Sequence, residues 1–294
     1  MEDSAVIVHP ADRLFAAIDR CRAPVCVGLD PVLGKLPAAV RDGAASAPAA
    51  LEAFSLGVIR AVSPHVPCVK FQSACFERYG ADGIAALHTA MAAADELGLE
   101  SILDAKRGDI GISAEHYAAA AFDGPSPADW ITLSGYLGSD TIQPFRRAGH
   151  GGFVLVRTSN PGGDELQGLR LEDGRTLDEA VAQMVATLGN DRVGVRGYSD
   201  LGAVVGATKP EAARRLRQLM PRQLFLIPGF GAQGGGVDDI LPCFDSAGAG
   251  GLVTASRSVI YAAPLGASST AWCDGVAAAA EELAAQVGGA LGMR

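Results

Sequence analysis

Ser101–Gly111 reads SILDAKRGDIG. An apolar run opens it, Asp104 and Lys106 follow two residues apart, and a glycine-bearing turn carries Asp109. Side chains alternate along a strand, so Asp104 and Lys106 face the same side. The stretch reads as a strand with charges at its C-terminal end, followed by a loop. The same unit recurs along the chain. PVCVGLD from Pro24, PCVKFQ from Pro67, WITLSG from Trp130, GFVLVRTS from Gly152, LGAVVGAT from Leu201, LFLIPGFG from Leu224 and GLVTAS from Gly251 have the same β-rich character. Between them lie Ala-rich segments such as GADGIAALHTAMAAADELG and EAARRLRQLM, whose composition favours helix. The strands are short and almost continuously apolar, as in a parallel sheet covered by helices. Eight such strands, each followed by a helix or its remnant, predict an α/β chain folded as a single (β/α)8 TIM barrel over residues 1–294. An open doubly wound sheet would usually show GxGxxG after its first strand, and GLDPVLGKL from Gly28 is not one. A further helix is expected over residues 10–22.

With 294 residues, 49% hydrophobic and 19% charged, the chain can build a large core. A net charge of -9 argues against nucleic acid as partner, though one local basic pocket suffices for a small phosphorylated ligand. Six cysteines, Cys21, Cys26, Cys68, Cys75, Cys243 and Cys273, form no CxxC pair and read as reduced thiols of a cytoplasmic protein. MEDSAVIVHP at the start lacks the pattern of a signal peptide, and no apolar run approaches the ~20 residues that span a bilayer, so no membrane association is expected. Gly43–Ala50 reads as a loop or a frayed helix start. SNPGGDELQGLRLEDGR, residues 159–175, is the longest interruption; an active-site lid and a plain surface excursion both fit its length.

Charged residues end successive strands: Asp30 the first, Lys70 the second, Asp104 and Lys106 the third. In a β/α barrel these ends converge on one pocket. One such pair would read as a salt bridge at the barrel mouth; charges on three adjacent strands favour a functional site. A second cluster follows strands seven and eight, in PGFGAQGGG and SRSVIYA. That is the usual phosphate position of this fold. Glycines let backbone N–H groups approach an anion, Arg257 offers a bidentate grip, and Gln233 is a neutral donor. His9, His65, His88, His116 and His150 show no metal-ligand spacing and read as surface or packing residues. No metal site and no cofactor are expected.

These pieces resemble the orotidine 5′-monophosphate decarboxylase superfamily. DAKRGDIG has its D-x-K-x-x-D signature, and VGLDP, VKFQSACFERYG, SGYLGSDTIQPF, VLVRTSNPG, VVGATKPE, IPGFGAQGG and SRSVIYA follow the family order from about Val25 to Ala262. KRGDIG and RTSNPG are similar to the longer bacterial branch of mycobacteria and myxobacteria. The resemblance implies that Lys70, Asp104, Lys106 and Asp109 form an alternating charge array, with Asp109 reaching the active site of the other subunit of a homodimer. It further implies that Asp30 binds ribose hydroxyls, Ser159 contacts the pyrimidine, and Gln233 and Arg257 hold phosphate. Ser113 lies near a threonine position of the shorter branch. The implied activity is cofactor-free decarboxylation of orotidine 5′-monophosphate to UMP in pyrimidine biosynthesis, with Lys106 as proton donor. Two alternatives remain. One is a related metal-dependent sugar-phosphate lyase, a ketogulonate-phosphate decarboxylase or hexulose-phosphate synthase, against which RTSNPG and Lys70 argue. The other is a non-catalytic nucleotide-binding barrel, against which the full set of charged residues argues.

Overall fold

The computed structural model describes residues 7–231 and 236–293. All eight expected segments form strands: β1 (Val25–Leu29), β2 (Cys68–Gln72), β3 (Glu100–Arg107), β4 (Trp130–Leu133), β5 (Gly151–Arg157), β6 (Leu201–Val205), β7 (Phe225–Pro228) and β8 (Gly251–Ala255). Each pairs with the next in sequence order and β8 pairs in parallel with β1, so the barrel is closed. An open doubly wound sheet would leave two edges unpaired, and this sheet has none. Helices Ala47–Val62, Gly80–Glu96, Gly111–Phe122, Leu177–Gly189, Pro210–Leu219 and Ser269–Ala290 cover the outside. Between β4 and β5 the helix is reduced to two short turns, Ser139–Thr141 and Gln143–Phe145.

Alternation along the strands feeds two cores. Val25, Val27, Val69 and Phe71 point outward and pack with the helices. Cys26, Cys68, Ile102, Trp130, Phe153 and Leu252 belong to a second cluster that fills the lower barrel. Both faces of each strand are therefore buried, which is why the strands read as unbroken apolar runs. Room for the Trp130 indole comes from Gly151, where an added Cβ would fall 2.3 Å from the ring.

The N-terminal helix runs Pro10–Cys21, close to the expected span, and its Leu14, Phe15 and Ile18 join the lower cluster. His9 caps it by accepting the Ala11 N–H. Arg13 ties this helix to the base of the barrel, 2.6 Å from Glu100 and 2.7 Å from Asp129. One guanidinium there serves two carboxylates. Burial, with Asp129 adding to it, outweighs Arg13 and pushes the Glu100 carboxyl up to about 7.

All six cysteines are free thiols. The Gly43–Ala50 stretch is a helix start: Ser46 accepts the Ala49 N–H and the helix begins at Ala47. Residues 159–175 have structure of their own, a helical turn at Gly163–Gln167 and a tight turn in which the Leu171 N–H donates to the Arg175 carbonyl. Among the described residues no helix is long and apolar enough to cross a membrane.

Candidate active site

Above the apolar layer the inward-facing positions turn polar and line a cavity of about 430 Å3. Asp30, Lys70, Asp104, Lys106, Ser159 and Arg257 all reach it, from β1, β2, β3, β5 and β8 or the residues just beyond them. The charges expected at successive strand ends are thus brought together in one place.

Asp104 is the centre of the group. Its Oδ2 accepts from Lys70 Nζ at 2.8 Å and from Gln72 Nε2 at 3.2 Å. Its Oδ1 accepts from Lys106 Nζ at 2.6 Å and from Thr132 Oγ1 at 2.9 Å. Burial alone would raise the Asp104 carboxyl, but the two ammoniums overcome it and hold it at about 2. Burial likewise disfavours the Lys70 ammonium, yet Asp104 and Asp30, the latter 3.7 Å away, lift its pKa above the ordinary lysine range. Lys70 is therefore a fixed buried cation. The Lys106 side chain is 46% exposed against 8% for Lys70, so its ammonium is the more open of the two to the cavity. Lys106 also has a left-handed backbone, φ 47°, where β3 slips register against β4 between Leu103 and Arg107.

Arg257 follows β8 at the rim, near Pro228, Gly229 and Ser256, which also line the cavity. An anion there would meet a guanidinium and a glycine-containing turn. Gln233 lies outside the described residues. Ser159 follows β5 and packs against Gly206, at the end of β6; a Cβ on Gly206 would come within 2.9 Å of the Ser159 Cα. The Thr158 N–H donates to Gln167 Oε1 at 2.9 Å, and Asp164 accepts from Arg157 and from Lys209, pinning the start of the 159–175 loop.

Asp109 and Ser113 stand apart. Asp109, between β3 and the helix Gly111–Phe122, is half-buried, and its Oδ1 accepts the neighbouring Ile110 N–H at 2.8 Å. Ser113 is in the first turn of that helix. Neither lines the cavity of its own chain. Ile110 and Ile112 flank them at 62% and 69% exposure.

Several cavity residues went unremarked in the sequence: Gln72, Thr132, Thr158, Asn160, Thr254 and Ser256. The signal that finds four of them is the two-residue period. Gln72 is two beyond Lys70, while Thr254 and Ser256 continue the inward row of Leu252, and Thr132 that of Trp130.

Comparison with known proteins agrees with this geometry. Residues 23–271 match the model of the orotidine 5′-phosphate decarboxylase / HUMPS family. An orotidine 5′-phosphate decarboxylase of Rhodopirellula baltica is 42% identical over 300 residues, covering 95% of this chain and 99% of the relative. One from Deinococcus radiodurans is 42% identical over 246 residues, covering 82% and 85%. Among solved structures, the OMP decarboxylase of Leishmania donovani superposes with a TM-score of 0.79 at 35% identity, covering 97% of this chain and 99% of that one. With its closed barrel, its Lys–Asp–Lys cluster at the strand ends and these relatives along nearly its whole length, the chain belongs to the orotidine 5′-phosphate decarboxylase / HUMPS family.

Proposed function

We propose that this protein is a carbon–carbon lyase that decarboxylates orotidine 5′-monophosphate to UMP and CO2, a step of pyrimidine biosynthesis in the cytoplasm, without metal or cofactor. The observation that carries this reading is the buried Asp104 held between Lys70 and Lys106 in a cavity whose rim bears Arg257. Loss of CO2 breaks the bond from C6 of the pyrimidine and leaves the electron pair on C6, with no adjacent carbonyl to delocalise it. Lys106 places a cation beside that carbon and transfers a proton to it, and the resulting amine regains a proton from water. Asp104 lies near the departing carboxylate, Asp30 binds the ribose hydroxyls, Ser159 contacts the pyrimidine, and Arg257 with Gln233 holds the phosphate. Phosphate binding, remote from the reacting carbon, supplies energy for residues 159–175 to close as a lid. The test is loss of substrate absorbance with purified protein, with and without a chelator. Chelator-resistant turnover supports the reading, chelator-sensitive turnover of a sugar phosphate overturns it, and nucleotide binding without turnover would make the barrel non-catalytic.

In the same reading the protein is a homodimer in which Asp109 and Ser113 complete the cavity of the second copy. Supporting it are their position outside their own cavity and the exposed apolar residues nearby, Ile110, Ile112 and Tyr117. A two-fold pair would carry two equivalent composite sites. Mixing inactive Lys106→Ala and Asp109→Ala proteins under subunit exchange should restore one intact site per mixed dimer. Confirmed exchange without returning activity removes the shared site.

A further inference from the structure

Thr132 is 1% exposed, and one hydroxyl there makes two bonds to the reaction centre. Its Oγ1 donates to Asp104 Oδ1 and accepts the backbone N–H of Lys106, each at 2.9 Å. The direction is fixed by chemistry: the carboxylate only accepts and the N–H only donates. Both bonds meet where β3 leaves regular pairing with β4 and Lys106 takes its positive φ. A lysine in that conformation is strained, and such strain persists only where the surroundings hold it. We propose that Thr132 is a positioning residue for the decarboxylation: it holds the left-handed backbone of Lys106 and orients the Asp104 carboxylate, so that the Lys106 ammonium is aimed into the cavity.

The proposal rests on the reading of Lys106 as proton donor. Valine has the shape of threonine without the hydroxyl; serine keeps the hydroxyl and loses a methyl. Thr132→Val therefore removes both bonds while filling the same space, leaving Asp104 its lysines and Gln72 but the Lys106 N–H without this acceptor. A hydrogen bond to a charged group is worth enough that kcat of Thr132→Val should fall on the order of 10- to 100-fold. KM for orotidine 5′-monophosphate and the affinity and stoichiometry of UMP binding should stay within roughly threefold, because Asp30, Ser159 and Arg257, the groups assigned to ribose, pyrimidine and phosphate, are unchanged and valine keeps the shape of the cavity wall. Thr132→Ser should recover kcat to within roughly threefold of the parent. A purely structural threonine would instead lower the fraction of UMP-binding sites and leave kcat per site unchanged. The proposal is overturned if Thr132→Val turns over like the parent per binding site, or if the serine variant is as impaired as the valine variant. Should the valine variant not fold, Thr132→Ala is read against Thr132→Ser in the same way. A parent that binds UMP but never decarboxylates overturns the functional reading and this inference together; an active parent with an unimpaired valine variant overturns this inference alone.

Discussion

Replacing Lys70 by Met removes a buried ammonium from between Asp104 and Asp30, whereas replacing Lys106 by Ala removes an ammonium that faces the cavity. Both lysines bond the same carboxylate, at 2.8 Å and 2.6 Å, but their side chains are 8% and 46% exposed. Breaking a buried pair from one side costs about 3–5 kcal/mol, because the remaining charge is left uncompensated in a poorly polarisable interior. Here Asp104 keeps Lys106, Gln72 and Thr132, so Lys70→Met should lie at the low end, about 3 kcal/mol. At roughly 2–4 °C per kcal/mol, that lowers Tm by about 6–12 °C. Lys106 is half-exposed and Asp104 keeps its buried Lys70 when it is lost, so Lys106→Ala should cost about 0–1 kcal/mol and change Tm by no more than about 4 °C. Relief of repulsion between the two ammoniums occurs in either variant and does not separate them. Activity reverses the order of severity: in the proposed reaction Lys106→Ala would lose both the cation at C6 and the proton donor, and kcat should fall on the order of a thousandfold or more. Thermal unfolding followed by circular dichroism at pH 7 and the absorbance assay give the two readouts. If Lys106→Ala melts as low as Lys70→Met, or keeps kcat within about tenfold of the parent, the division between a structural and a reacting lysine is wrong.

Arg257→Ala should reduce kcat/KM for orotidine 5′-monophosphate by about 2–5 kcal/mol while barely changing that for the nucleoside; equal losses would remove Arg257 from the phosphate site. Gly206→Ala puts a methyl 2.9 Å from the Ser159 Cα and should displace the pyrimidine contact, costing about 1–3 kcal/mol in kcat/KM; unchanged kinetics would show that Ser159 makes no such contact. Glu100 binds its proton more tightly in the folded chain, with a pKa of about 7 against 4.5 for an ordinary glutamate, so its contribution falls as pH rises through that window and is constant above it. Glu100→Gln should remove that part of the slope of stability against pH, and identical slopes in chemical denaturation from pH 4 to pH 8 would contradict the assignment.

The barrel was legible because its strands are buried on both faces and its helices are rich in alanine, so the two composition patterns alternate without ambiguity. The cavity was legible because charge at a strand end is costly unless used or paired, and Asp30, Lys70, Asp104 and Lys106 all stand at such ends. Neutral polar residues give no such signal. Gln72 and Thr132 complete the shell of Asp104, yet in VKFQ and WITLSG they look like ordinary strand residues. The left-handed backbone of Lys106 was hidden as well. Left-handed geometry is signalled by Gly or Asn, and here a lysine adopts it, held by contacts from another strand.

Asp109 was located by motif, and the charge count suggests why a second copy would supply it. Within one chain the cluster is balanced: Lys70 and Lys106 against Asp104 and Asp30. A nucleotide phosphate brings its own countercharge requirement to Arg257, at the rim, so the array faces the pyrimidine carboxylate alone. Asp109 of a second copy would make the array net negative. Its effect would depend on the stage of the reaction: unfavourable while the substrate carboxylate is present, and relieved once CO2 has left. If Asp109 lay beside Lys106 in its own chain, every monomer would carry the net negative array. Placed outside its own cavity, it would act only when two chains pair, so the complete array and the folded dimer would form together.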